Sequence, residues 1–282
     1  MQQFTYLRPD NKEELLNILS SDQGRILAGG TDILPRLRKG FSIEEKLVDI
    51  SRIKEFDFID AKTDEVSIGS LVTYNTIENS SDLQKAAPIL GSAASVVGSF
   101  QTRQRGTIGG NIGNASPAGD ILLPLMALNA EVVLVGKMGE RKVALREFIS
   151  GPGKTDLHRD EVISKITFSK LPVNTKYYFF KQGKRNSMAC SVVNIAVIAT
   201  FSGSMVNDIR IAIGSVAPTP VRCSITENLI TNQILNEELI ALAAKTTEKE
   251  VSPICDVRAS ANYRNILVRQ LVIMGLRSLA SN

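Results

Sequence analysis

A single histidine, His158, stands in 282 residues. That scarcity argues against a Ser-His-Asp triad and against any metal site built from several histidines. Cysteine is nearly as scarce. Cys190, Cys223 and Cys255 lie more than thirty residues apart, with no CxxC pair, so the chain itself lacks the spacing for an iron–sulfur or zinc site. No apolar run approaches the length that crosses a bilayer. Nor does one sign of charge dominate: 33 basic against 29 acidic residues leave a net +4, scattered rather than clustered, which is no footprint for nucleic acid. Any redox chemistry must come from a bound organic cofactor.

What is present fits a soluble globular protein with a substantial core, 43% hydrophobic and 22% charged. The start, "MQQFTYLRPDNKEEL", has none of the three regions of a signal peptide, so a cytoplasmic location is expected. Asn11 and Glu14 resemble a capping box, ahead of a helix with Leu15, Leu16 and Leu19 on one face and Gly24 to end it. "RILAGG" reads as a short buried strand running into a turn. Thr31 is placed to cap the next helix, which Gly40 would close. "KLVDIS" and "EVSIGSLVT" are strand-like, and Thr76 to Ser99 largely helical. "DILLPLMALNAEVVLVG" reads as a helix giving way to a strand near Glu131. "EVISKITF", the stretch from Tyr177 to Thr200 and "DIRIAIGSV" are β-rich. The tail beyond Asn236 is helical, with Ile266, Val268, Leu271, Val272 and Leu276 turned toward a core.

Two glycine pairs ask for one explanation: "RILAGGTDILPRLRKG" from Arg25 and "RGTIGGNIGNASPAGD" from Arg105. Adjacent glycines allow positive φ and a close backbone approach to a ligand. Their amides can then converge on an anion, helped by a following helix N-terminus. Two such loops point to a diphosphate held from two sides. "SGPGKTD" is not a P-loop, because Phe148 stands where that pattern requires glycine; it reads as a surface turn. Neither pair fits the G-x-G-x-x-G dinucleotide fingerprint. Taken alone, Asp120 reads as a helix N-cap for "ILLPLMAL", and Lys181 after "YYFF" as a solvated strand residue.

In order, "LAGGTDILP", "QTRQRGTIGGNIGNASPAGD", "GPGKTDLHRDEVISKI" and "FFKQGKRNSMACSVVNIAV" resemble the FAD-binding medium subunit of molybdenum hydroxylases. That group includes xanthine, nicotinate and carbon monoxide dehydrogenases. The resemblance covers nearly the whole chain, with Gln104 after Arg103 where the family often has asparagine. It implies an α+β fold: a two-lobed, vanillyl-alcohol-oxidase-like (PCMH-type) FAD domain over 1–175, with lobes of about 1–58 and 59–175. A smaller α+β C-terminal domain would follow over 176–282.

On the same resemblance, Leu27, Ala28, Gly29, Gly30, Thr31, Asp32, Ile33 and Leu34 wrap the FAD pyrophosphate. Thr107, Ile108, Gly109, Gly110 and Asn111 approach it from the other lobe. Asp120 contacts the cofactor, Ile163 packs on it and Lys181 stands near it, reversing the simpler readings of Asp120 and Lys181. FAD is expected to be noncovalent, with His158 in a turn away from both loops. Molybdopterin and two [2Fe–2S] centres would sit in a large and a small partner subunit. Electrons would pass from the iron–sulfur centres through FAD to NAD⁺ or another acceptor, with no catalytic side chain in this protein. The alternative is a stand-alone FAD-dependent dehydrogenase or oxidase of a small organic substrate, which would need a substrate pocket with a base.

Overall fold

The structure, a computed structural model, describes residues 3–21, 24–41, 46–185 and 188–281. The chain begins with β1 (Thr5–Leu7), α1 (Lys12–Ser21), β2 (Arg25–Leu27), α2 (Ile33–Arg38) and β3 (Lys46–Asp49). The three strands form a parallel sheet in the order β1-β3-β2. The start of α1 is fixed by its own side chains. Asn11 Oδ1 accepts from the Glu14 amide at 2.9 Å, and Glu14 reaches back to the Asp10 amide at 2.8 Å. Leu15 and Leu19 are buried and Leu16 half-buried; residues 22 and 23 before Gly24 lie outside the described residues. The cap position of α2 is Asp32, not Thr31 as the sequence suggests, and its side chain makes no capping bond. Gly40 does close the helix, at φ +82°.

A second lobe follows: β4 (Ile59–Asp60), β5 (Glu65–Gly69), α3 (Tyr74–Asn79), α4 (Ser81–Ala86), α5 (Ile89–Ser95), α6 (Phe100–Arg105), α7 (Ile108–Asn114) and α8 (Leu122–Ala127). Then come β6 (Glu131–Gly136), β7 (Gly139–Ala144), α9 (Leu145–Phe148), β8 (Ile149–Gly151), β9 (Lys154–Thr155) and β10 (Glu161–Ser169). The antiparallel sheet runs β4-β5-β10-β6-β7, and β8-β9 is a separate hairpin. The alanine- and leucine-rich stretch, expected to be largely helical, is three short helices, α3 to α5. Ser80 leaves helical geometry to end α3, and its hydroxyl then caps α4 at the Leu83 amide. The strand read in "EVSIGSLVT" stops at Gly69, where a Cβ would sit 2.3 Å from Phe56 O. Leu71, Val135 and Val162 join the core of the first lobe around Leu15, Leu19, Val48 and Phe56, so the lobes share packing.

The last part is β11 (Thr175–Gly183), β12 (Ser191–Ser202), β13 (Met205–Gly214), β14 (Val221–Arg222), α10 (Ser224–Ile230), α11 (Glu237–Thr247) and α12 (Ala261–Ala280), with an antiparallel sheet in strand order. Strand β12 is apolar on both faces because both are covered. Val193, Ile195, Val197 and Ala199 face the core that contains α11 and α12, while Ala196 and Ile198 face that of the second lobe. The buried stripe of α12 is Arg264, Val268, Leu271, Val272, Gly275, Leu276 and Leu279. Ile266, expected inside, is 49% exposed. It lies about 200° around the helix from Arg264, which takes the inward position by bonding Val192 O at 2.5 Å, Ser215 O at 2.8 Å and Asp256 at 2.7 Å.

Candidate functional site

The two glycine loops meet. In the first, Gly30 alone takes a left-handed backbone, at φ +72°. Gly29 serves another purpose: a Cβ there would fall 1.8 Å from the carbonyl oxygen of Arg105, just ahead of the second loop. In the second loop, Gly109 packs against Ser70, where a Cβ would stand 2.5 Å from Ser70 Cβ. Gly110 is exposed and has no positive φ, contrary to the expectation that both glycine pairs use that freedom. Its Cβ would meet only Thr107 Oγ1 at 2.9 Å and Ala28 Cβ at 3.9 Å.

Hydrogen bonding divides the loops further. The second spends its amides internally: Ile108 donates to Val72 O, Gly109 to Ser70 O, Gly110 to Thr107 Oγ1 and Asn111 to Thr107 O. Among the described residues, the amides of Ala28 through Ile33 donate to no acceptor of the chain. Open amides therefore lie in the first loop and not in the second, unlike the expected pair of equivalent cradles.

Between the loops opens a cleft of about 340 Å³, in the size range of small-molecule sites. Ala28, Gly29, Gly30, Thr31, Asp32 and Ile33 line one side; Thr107, Gly109, Gly110 and Asn111 line the other; Ile163 closes a third. A register shift in β10 between Ile163 and Lys165, against β6, accompanies the placement of Ile163. The other residues expected at the site stand outside this lining. Leu27 and Ile108 are buried in protein packing, and Leu34 is 42% exposed.

Asp120 and Lys181 also stand outside it, paired with each other at 2.6 Å and both nearly buried. Asp120 further accepts from Ser191 Oγ at 2.5 Å and Asn194 Nδ2 at 2.8 Å, while Lys181 donates to Val96 O at 3.0 Å. The cap position of α8 is Ile121. Asp120 is thus an ionic joint between the second lobe and the C-terminal sheet, neither a cap nor part of the cleft wall.

Sequence reasoning missed Ser70 and Tyr74 on the wall, and it placed His158 away from the loops. His158 lines the same cleft, as do Gly153, Thr155 and Leu157 from the hairpin and the segment that follows it. Nothing in local spacing marks Ser70 or Tyr74, and the turn at "SGPGKTD" gives no local sign that the fold brings it to the cleft. Burial pushes the Tyr74 phenol well up; the Asn111 side chain opposes this, and the nearby carboxylates of Asp120 and Asp32 add to the rise. Tyr74 is therefore a neutral hydroxyl. Two buried polar atoms on the wall lack any partner, Ser70 Oγ and Asn111 Oδ1.

Arg141 fastens the segment that carries His158. It bonds both oxygens of Glu161 at 2.7 and 2.8 Å, and the side chain and carbonyl of Asp156 at 2.7 and 2.6 Å. Glu161 also accepts from the His158 amide at 3.0 Å. The Arg141 guanidinium holds the Glu161 carboxyl below its ordinary value, outweighing burial. The stabilisation is therefore complete at neutral pH and is lost as pH falls from the ordinary carboxylate value through the lowered one. Glu161→Gln should lower the melting temperature at pH 7, and the gap from wild type should shrink as the pH drops below about 4. Melts across that range check this; a gap independent of pH would contradict it.

Comparison with known proteins adds the following. Residues 2–171 match the family described as the FAD binding domain in molybdopterin dehydrogenase, and 178–279 the CO dehydrogenase flavoprotein C-terminal domain. The chain is 30% identical to the glyceraldehyde dehydrogenase medium chain of Sulfolobus acidocaldarius over 280 residues, 99% of each. It is 32% identical to the carbon monoxide dehydrogenase medium chain of Hydrogenophaga pseudoflava over 278 residues, 98% of this chain and 96% of that one. A solved structure of carbon monoxide dehydrogenase from H. pseudoflava, lacking the Mo-pyranopterin moiety of its cofactor, superposes with a TM-score of 0.95 at 30% identity. The match covers 99% of this chain and 98% of that one.

Proposed function

The chain belongs to the family of FAD-binding medium subunits of molybdenum hydroxylases, and on that premise we propose that it holds FAD noncovalently in the cleft between its glycine loops. It serves there as the electron-transfer subunit of a hydroxylase complex, between [2Fe–2S] centres in a partner and NAD⁺ or another acceptor. The observation that carries the placement is unspent hydrogen-bonding capacity among the residues that line one cleft. Donors are the open amides of Ala28 to Ile33; orphaned groups are Ser70 Oγ and Asn111 Oδ1; Gly110 supplies a surface without Cβ. A dinucleotide carries the acceptors and donors that would match these groups.

Bound flavin supplies one- and two-electron exchange, chemistry that no side chain of this protein can provide. The chain's own work is to bind, orient and shield. The first-loop amides face the diphosphate without needing a lysine or arginine. Ala28 and Ile163 give the cleft apolar wall, and Tyr74 stays protonated, so it contributes a hydroxyl and no base. Asp120 and Lys181 fix the C-terminal sheet against the lobe that carries the second loop. The division at about residue 175, with lobes of about 1–58 and 59–175, belongs to the same proposal. The break between the matched ranges and the separate sheets support it.

Molybdopterin and the iron–sulfur centres are assigned to a large and a small partner subunit. Among the described residues no group of three or more metal-ligating side chains comes together, and no helix is long and apolar enough to cross a membrane. A cytoplasmic setting, where nicotinamide is available, goes with this reading. The FAD-loaded chain should pass electrons from reduced nicotinamide to an artificial dye, yet hydroxylate no purine, pyridine or aldehyde until both partners are added. Turnover of such a substrate by this chain alone would favour a stand-alone dehydrogenase.

A further inference from the structure

Ser70 directly follows β5, in a position fixed from both sides. Its amide donates to Ser164 O at 2.9 Å, and its carbonyl accepts from Gly109 N at 2.9 Å. The residue is 2% exposed and lines the cleft, yet its hydroxyl has no partner in the protein. A buried hydroxyl without a partner is destabilising, and alanine at this position would carry no such cost.

The surroundings indicate what it is for. Open amides of the first loop offer donors on one side of the cleft, whereas the second loop has none left to give. Ser70 touches that second loop at Gly109. A diphosphate between the loops would therefore meet backbone donors on one side only, and on the second-loop side its donors must be side chains.

We propose that the Ser70 hydroxyl donates a hydrogen bond to a diphosphate oxygen of the bound dinucleotide, and so completes from the second-loop side the cradle that the first-loop amides begin. This rests on the reading of the cleft as the FAD site. The match is one of donor to charged acceptor, the stronger class of hydrogen bond.

The test uses the apoprotein of the full chain and of Ser70→Ala, titrated with FAD, ADP and riboflavin. Removal of the hydroxyl should weaken FAD and ADP by about tenfold or more and leave riboflavin unchanged. The melting temperature of the variant without ligand should equal or exceed that of wild type, because an unpartnered buried oxygen has been removed, while its rise on adding FAD should be smaller. Equal FAD affinity in both proteins would overturn the inference. So would weakening confined to riboflavin and FAD with ADP spared, which would place the hydroxyl at the flavin end. A fall in the ligand-free melting temperature would also overturn it, by showing a structural role. Failure of the wild-type chain to bind FAD at all would instead remove the cleft assignment on which the inference rests.

Discussion

Gly29→Ala should separate the two glycine loops and cost both stability and FAD affinity. The added Cβ would lie 1.8 Å from Arg105 O and 2.7 Å from its carbonyl carbon, and neither backbone atom can swing aside as a side-chain tip could. Overpacking of this kind costs about 1–3 kcal/mol. The strain is relieved only by moving the loops apart, so binding that needs them together should lose a similar amount; 3 kcal/mol is about a hundredfold in Kd. Gly110→Val gives the contrast. Gly110 is exposed toward the cleft and has no left-handed backbone; a Cβ there would press only on the Thr107 hydroxyl, at 2.9 Å, so the fold should lose less than in Gly29→Ala while the cofactor loses its place. Melting of the two apoproteins, followed by FAD titration, separates the effects. Equal apo stability of Gly29→Ala and wild type would contradict the contact.

The second large effect is expected at Asp120. Its removal leaves the Lys181 ammonium nearly buried with only Val96 O beside it, and it strips Ser191 Oγ and Asn194 Nδ2 of their acceptor. Breaking one side of such a pair typically costs about 3–5 kcal/mol. Asp120→Ala should therefore unfold at markedly lower urea. The double variant Asp120→Leu with Lys181→Met should recover much of the loss, since two apolar side chains leave no unpaired charge. A single variant as stable as wild type would show that the joint contributes nothing.

These contacts mark how far the sequence could be read. Local signals were visible: the Asn11–Glu14 cap, the β-rich stretch that contains β12, and both glycine pairs, in each of which the first glycine approaches other backbone. Pairings made across the fold were not. Ser70 meets Gly109, Gly29 meets Arg105, and Asp120 meets β11 and β12, each across a separation that no window spans. Hydropathy also misled in α12, where the inward place went to Arg264 because Asp256 and two carbonyls await it, and Ile266 turned to solvent. His158 was misplaced for a related reason. The Arg141–Glu161 and Arg141–Asp156 bonds fasten its segment at the cleft, and those partners are far apart in the chain.

Equilibrium titration of the apoprotein with FAD, followed by visible absorbance and run in parallel on Gly110→Val, tests the central claim most directly. The cleft assignment requires saturable uptake of one FAD per wild-type chain, a yellow protein that releases intact FAD on denaturation, and a Kd in the variant weakened by more than any loss of its apo stability accounts for. A folded wild-type chain that stays colourless with excess FAD, or a variant that binds as tightly as wild type, would contradict it.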